Sequence, residues 1–185
     1  MSGSQPPPDF REAREESLAL LSRTGIVLTP EEAGAFEVAD FGLGRLRELG
    51  LQLVTYINTE RCCAKELVLL PRQTCPEHLH PPVGDYPGKE ETFRCRWGTV
   101  YLYVPGEPAE APKAVVPAGY ERHLSVWREI ELQPGMQWTL PPQTLHWFQA
   151  GDEGAIVSEF STRSLDEHDV WTDPNIRRLE RVVQW

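Results

Sequence analysis

Two histidines one residue apart, His78 and His80, lie in the run Thr74-Cys-Pro-Glu-His-Leu-His-Pro-Pro82. On a β-strand alternate side chains project from the same face, so the two imidazoles would stand side by side. That is half of a metal site. Glu91 and His146 are the candidates to complete it, because three imidazole nitrogens and one carboxylate oxygen suit a divalent first-row cation. The bland alternative for the pair is the solvated face of an edge strand, and the flanking prolines argue against a regular strand there. At Glu90 and Glu91, alternation decides which carboxylate matters. Glu91 shares a face with Phe93, Cys95 and Trp97, whereas Glu90 shares one with Thr92, Arg94 and Arg96. A carboxylate buried among apolar groups needs a cation. His146 shares a face with Phe148, and read alone it is as readily a hydrogen-bonded core histidine as a ligand. His123 and His168 have charged neighbours and read as surface residues.

Three further residues could move or hold protons beside such a centre. Glu159 is the acidic residue of an otherwise uncharged run, Ala155-Ile-Val-Ser-Glu-Phe160. Both faces of that strand are apolar, so alternation does not orient it. The placement of Lys65 rests on a turn. With Pro71-Arg-Gln-Thr74 as a tight hairpin, Leu67 falls opposite His78 and Lys65 opposite His80, on the metal face. A slip of one residue would turn the lysine outward. Lys89, two residues before Glu91, shares the face of that glutamate; for either lysine the alternative is a solvated surface position.

The elements that must position these groups follow from composition and pattern. The chain has 185 residues, enough for one well-buried core. Lys and Arg number 18 against 28 Asp and Glu, a formal charge of −10, and the basic residues are scattered. Nucleic acid is therefore excluded as a partner, since phosphate binding needs a concentrated positive surface. No apolar run approaches the roughly 20 residues that span a bilayer, and the start has neither a charged nor an apolar leader region. A cytoplasmic protein without a membrane partner is expected. Cys62, Cys63, Cys75 and Cys95 show no metal or disulfide spacing and are expected as reduced thiols.

Residues 1 to 8, rich in Ser, Gly and Pro, read as a loose tail. Asp9 then looks like an N-cap, with Phe10, Ala13, Ser17, Leu18 and Leu21 at helical spacing until Gly25. Thr29-Pro-Glu-Glu32 is a capping box that starts a second short helix running to about Phe36. Residues 9–40 are thus expected to form a helical extension packed on a β-domain spanning 41–185. Phe41-Gly-Leu-Gly44 reads as a turn, because two glycines with no third and no preceding strand are a weak dinucleotide signal. Seven short runs follow: Leu51 to Ile57, Lys65 to Leu70, Thr92 to Val104, Ser125 to Leu132, Gln137 to Leu140, Leu145 to Gln149 and Ala155 to Phe160. With turn signals between them they predict an all-β sandwich or small barrel. Pro105 to Gly119 is a surface loop, and Ile176 to Trp185 a short closing helix.

The spacing His78-x-His80, then Glu91 with six residues to Gly98, then Gly135 with five to Pro141 and four more to His146, resembles the two motifs of the cupin superfamily. The longer wording resembles the cupin-type D-lyxose isomerases over about residues 22 to 176. It comprises Asp40-Phe-Gly-Leu-Gly, Lys65-Glu-Leu-Val-Leu, Cys75-Pro-Glu-His-Leu-His-Pro-Pro, Glu91-Thr-Phe-Arg-Cys, His146-Trp-Phe-Gln-Ala-Gly and Asp173-Pro. Arg72 and Gln143 stand where the general motifs have glycine, Ala150 where the second has asparagine, and the gap before Glu91 is longer than usual.

The resemblance implies a cupin β-barrel, of the double-stranded β-helix type, and an aldose–ketose isomerase acting on free sugars such as D-lyxose and D-mannose. It implies His78, His80, Glu91 and His146 as metal ligands with Mn²⁺ as the usual metal, Co²⁺, Fe²⁺, Ni²⁺ or Zn²⁺ being alternatives. It also implies Glu159 as the proton carrier and Lys65 and Lys89 as contacts to the sugar. Chelation of two adjacent sugar oxygens would stabilise an enediolate while one base moves a proton between C1 and C2. Two other classes share the ligand set: an Fe²⁺-dependent dioxygenase and a non-catalytic sugar binder. A phosphosugar isomerase lacks its arginine cluster here. A homodimer through an edge strand or the N-terminal segment is expected.

Overall fold

The computed structural model describes residues 7–178. The cap of helix α1 (Pro8–Arg23) lies two residues before the expected one, because Pro7 fills the cap and Pro8 the first helical position, where a missing N–H costs nothing. Asp9 lies inside the first turn. The apolar face of α1 (Phe10, Ala13, Leu20 and Leu21) packs on Val54, Val68 and Ile156, which point out from the back of a sheet. Helix α2 (Pro30–Gly34) is opened by the expected capping box: Thr29 Oγ1 accepts from the Glu32 N–H and a Glu32 carboxylate oxygen from the Thr29 N–H. The 9–40 stretch is not wholly helical, because β1 (Glu37–Ala39) pairs antiparallel with β2 (Leu51–Asn58).

The barrel is built around two long strands, β5 (Glu91–Val104) and β8 (His146–Ser161). They pair from Glu91 opposite Ser161 to Tyr103 opposite Trp147, with register shifts at Cys95/Trp97 and Gly98/Val100. Such bulges bend and twist a pair of strands, and here they let one ribbon serve both walls of a curled sheet. Gly98 sits at the bend with φ +71°, and a Cβ there would come within 2.1 Å of the Gly154 carbonyl oxygen. The two late runs of the sequence are therefore one strand, bent through Gly151 to Gly154. The outer half of β8 pairs with β3 (Cys63–Leu69), and the inner half with β4 (Thr74–Leu79). Strands β6 (Arg128–Leu132) and β7 (Gln137–Leu140) edge β5, and β9 (Val170–Trp171) edges β4.

This topology overturns the expected β3–β4 hairpin. Strand β8 lies between the two, so Lys65 faces Glu159, not His80. The turn after β3 crosses from one wall to the other instead of folding back. Buried Gln73 holds the crossing, accepting from the Leu70 N–H at 2.9 Å and donating to the Leu46 carbonyl at 2.6 Å. Arg72 (φ +57°) and Gln143 (φ +63°) both adopt the left-handed conformation that glycine takes most easily. The two departures from the motif glycines thus keep the backbone those glycines would give.

The main core fills the barrel, with Leu67, Phe93, Leu102, Phe148 and Val157 at its centre. All four cysteines are free thiols. Pro105 to Gly119 is a mostly exposed loop, pinned by bonds from the Ala114 N–H to Tyr103 Oη and from the Val115 N–H to Gln149 Oε1. Of the expected closing helix, residues 176–178 are not helical and 179–185 lie outside the described residues, as does most of the expected 1–8 tail.

Candidate active site

At the mouth of the barrel a narrow cleft opens between the strands. His78 and His80 line it from the end of β4 and Glu91 from the first position of β5, and His146, fully buried at the first position of β8, stands behind them against Glu91. A ring nitrogen of each histidine lies within 4.8 Å of those of the other two. Glu91 Oε1 stands 3.1 Å from His80 Nε2 and 3.2 Å from His146 Nε2. Glu91 is buried and Glu90 exposed, as alternation requires.

Each imidazole is oriented through its other nitrogen. His78 Nδ1 lies 2.8 Å from the Pro76 carbonyl oxygen, His146 Nδ1 lies 2.9 Å from that of Thr144, and His80 Nδ1 lies 2.5 Å from Asp169 Oδ1. An acceptor at Nδ1 fixes the proton there and turns the Nε2 lone pair into the cleft. The Nε2 atoms of His80 and His146 are fully buried and, apart from the approach of Glu91 Oε1, have no hydrogen-bond partner among the described residues. Buried polar nitrogens left unpaired are expensive, and three converging lone pairs beside a carboxylate are the donor set of a divalent cation. The residues present fit a divalent metal.

The electrostatics agree. Burial, then His146 and His80, hold the His78 pKa well below its ordinary value, and burial lowers that of His146 as well. Both are neutral and ready to ligate. Burial raises the Glu91 pKa, but Lys89, His80 and His146 override it and keep the group well below the usual carboxylate range. His80 goes the other way: burial opposes its charge, yet Glu91 and the bond to Asp169 raise it to about 9 in the metal-free protein. A cation must displace that proton, so binding is coupled to its release.

Lys65, Lys89 and Glu159 crowd beside this cluster, and all three are buried. Lys89 Nζ donates to Glu159 Oε1 at 3.0 Å and lies 2.8 Å from Glu91 Oε2. Glu159 Oε1 also accepts from Ser161 Oγ at 3.2 Å, while Oε2 takes no hydrogen bond among the described residues. Lys65 Nζ donates to Ser164 Oγ at 2.9 Å and Asp166 Oδ2 at 2.5 Å. Burial works against the charge of both lysines, but the surrounding carboxylates raise both pKa values, that of Lys89 well above the usual range.

The structure brings together all seven residues singled out in the sequence and adds a strap that the sequence did not reveal. Residues 164–178 cross the mouth, carrying Asp166, Asp169, Trp171 and Arg178. The 3₁₀ turn Asp166–His168 puts residues three apart on one side, so Asp166 and Asp169 face inward while His168 stays exposed. Arg178 spans both carboxylates, Nη2 to Asp166 at 2.9 Å and Nη1 to Asp169 at 3.2 Å. Trp171 stacks on His78 with centroids 4.7 Å apart. Glu77, also buried, faces away from the cleft. Its carboxylate accepts from the N–H groups of Ser125 and Val126 and from Thr172 Oγ1, which anchors the strap. The signal for the strap was the spacing of the two aspartates around His168. His123, expected on the surface, is only 11% exposed in its side chain and lies 3.8 Å from Asp173.

A family model described as "D-lyxose isomerase" matches residues 8–184. The chain belongs to the D-lyxose isomerase family. It is 62% identical over 171 residues to the D-lyxose ketol-isomerase of Cohnella laeviribosi, covering 92% of this chain and 94% of that one. It is 59% identical over 172 residues to the D-lyxose/D-mannose isomerase of Thermosediminibacter oceani, covering 93% and 95%. In fold it is similar to the L-ribose isomerase of Cellulomonas parahominis, with a TM-score of 0.77, 16% identity and coverage of 95% and 96%. That likeness matches the expected cupin-like barrel. Membership makes the protein an aldose–ketose isomerase and decides against the dioxygenase and the non-catalytic binder. No helix among the described residues is long and apolar enough to cross a membrane.

Proposed function

We propose that this isomerase interconverts D-lyxose and D-xylulose, and D-mannose and D-fructose, by carrying a proton between C1 and C2 of the free sugar. His78, His80, Glu91 and His146 would hold a divalent cation, with Mn²⁺ the expected metal. The observation that carries the reading is the pair of buried imidazole nitrogens converging on Glu91 Oε1, with a second carboxylate, Glu159, joined to Glu91 through the Lys89 ammonium. When bound, the cation would supply Lewis-acid polarisation of the sugar carbonyl.

The chain's own residues do the rest. Glu159 is the base. Its Oε1 is tied by Lys89 and Ser161, which fixes the carboxylate plane and leaves Oε2 to take the C2 proton and return it to C1. As the C2–H bond breaks, its electron pair forms the C1–C2 double bond and the carbonyl oxygen O1 gains charge; when C1 takes the proton back, the O2 hydroxyl proton passes to O1 and C2 becomes the ketone carbon. Lys89 and Lys65 are charged donors at the cleft wall, placed to hydrogen-bond sugar hydroxyls and to offset that charge. Burial of all three groups strengthens each electrostatic contact they make in the cleft. The test is isomerisation of D-lyxose in D₂O. Deuterium in the recovered sugar at C1 or C2, lost in Glu159→Gln, is the expected result, and full turnover by Glu159→Gln would end the assignment.

The charged groups of the cleft favour a neutral substrate. Glu91, Glu159, Asp166 and Asp169 already balance the charge of the lysines and Arg178, so a phosphate would find no uncompensated cation, while each ammonium, with two close partners, keeps one N–H for a sugar hydroxyl. The barrel from residue 41 onward carries every proposed site residue, and the 9–40 extension covers its outer face and, through Glu37 and Ala39, lines part of the cleft. The free cysteines favour a reducing compartment, the cytoplasm. We also propose a homodimer through an edge strand or the N-terminal segment; a monomeric mass at micromolar concentration would refute it.

A further inference from the structure

Lys65 and Glu159 are direct cross-strand partners on β3 and β8. Opposite charges in that relation normally pair. Here they do not. Lys65 Nζ turns to Asp166 Oδ2 and Ser164 Oγ, while Glu159 Oε2 stays without a hydrogen bond among the described residues. Asp166 comes from the strap, outside the strands, and is itself held in place. Arg178 Nη2 donates to its Oδ2, Ser164 Oγ donates to its Oδ1, and Lys89 Nζ stands 3.9 Å from Oδ1. Lys65 is 5% exposed, and a buried ammonium must find an anion. Two carboxylates attract it, and the hydrogen bond goes to the one fixed by Arg178 and Ser164, while Glu159 acts on the lysine through its charge alone.

We propose that Asp166 is a positioning residue of the isomerase: by holding Lys65 away from its cross-strand neighbour, it leaves Glu159 Oε2 open to the substrate. The proposal rests on Glu159 being the proton carrier. Without the Asp166 charge, the anion nearest in register to Lys65 is Glu159. The lysine then closes an ion pair across the oxygen that must accept the proton. Lys89 does not replace Asp166 in this role, because it already donates to the other Glu159 oxygen.

A double-mutant cycle reads this directly. Asp166→Asn, Lys65→Met and the double variant are loaded with Mn²⁺, checked for metal content, and assayed for kcat and KM on D-lyxose. Asp166→Asn is expected to keep its metal and lose about 100-fold in kcat, the scale of a misplaced reacting group, with KM moved far less. Asp166→Glu restores most of that loss. In the Lys65→Met background, where no lysine can close on Glu159, the asparagine costs little. Losses that multiply in the double variant, or a fall in KM affinity with kcat unchanged, overturn the proposal. If Asp166→Asn does not fold, Ser164→Ala decides: it releases one Asp166 oxygen and one of the two bonds that hold Lys65, and is expected to lower kcat only where Lys65 is present. Failure of the proton-carrier reading is separable, because it shows as full turnover by Glu159→Gln whatever the cycle gives.

Discussion

Replacing Asp169 with alanine removes the anion bonded to His80 Nδ1, and metal affinity is the quantity that reports the loss. The bond is 2.5 Å long, and Asp169 exposes only 2% of its side chain. A charge-assisted bond this short in a buried site is at the strong end for such contacts. Outer partners of ligating histidines typically contribute 10- to 100-fold in affinity. Asp169→Ala should therefore weaken metal binding about 100-fold, or about 2.7 kcal/mol. Asp169→Asn keeps an acceptor oxygen without its charge and should lose nearer 10-fold. Arg178 retains Asp166 in both variants, so the strap keeps one of its two clasps. The assay is titration of metal-stripped protein with Mn²⁺ against a competing chelator. The sign of the pH effect is also set. The raised His80 pKa, about 9, depends partly on Asp169, so the variants give up their proton more easily. The deficit should then be smaller at pH 7 than toward pH 9. An alanine variant with wild-type affinity at both pH values would refute the claim that Asp169 orients a metal-binding imidazole.

Other outcomes follow from the same geometry. Glu159→Gln should bind metal normally and lose at least about 100-fold in turnover, the lower range for a removed general base; metal analysis and sugar assays check both halves. Burial alone would raise the Asp166 pKa, but Lys65, Lys89 and Arg178 hold it well below its usual value. A carboxyl depressed in the folded state stabilises above its unfolded pKa, about 4, and loses that contribution as pH falls. The stability advantage of the wild type over Asp166→Asn should thus be constant above about pH 5 and shrink below pH 4; urea unfolding of both proteins across that range checks it, and a pH-independent difference would contradict it. Gln143→Gly relieves a left-handed non-glycine residue, worth about 1–2 kcal/mol, against about 0.5–1 kcal/mol of added chain entropy in the unfolded state. Its urea midpoint should rise slightly; a clear fall would show that the bond from Gln143 Nε2 to the Pro87 carbonyl matters more.

The clustering of three of the four proposed ligands was legible because strand alternation fixes a face without any knowledge of the neighbours, whereas His146 needed the family motif. His78, His80 and Glu91 needed only that rule. Lys65 was placed on the correct face for a wrong reason. The hairpin that would have set it opposite His80 does not exist, and β8 intervenes, yet the residue still turns inward beside Glu159. Local sequence shows the parity of a strand but not which strand lies next to it. Gly151 to Gly154 read as a break between two runs because glycine marks turns and bends alike. The strap was missed for a different reason. A 3₁₀ turn and a two-residue strand are too short to show a period, so Asp166, Asp169 and Arg178 carried no pattern beyond a three-residue spacing. Arg72 and Gln143 looked like departures from the motifs and proved to share the backbone conformation of the glycines they replace.

The central claim is that a cation held by His78, His80, Glu91 and His146 drives interconversion of free sugars. Ketose formation from D-lyxose by metal-stripped protein, before and after addition of Mn²⁺, tests it most directly. The account predicts no D-xylulose from the stripped protein and its appearance once Mn²⁺ is restored. Undiminished turnover after complete stripping, or none with the metal bound, would contradict it.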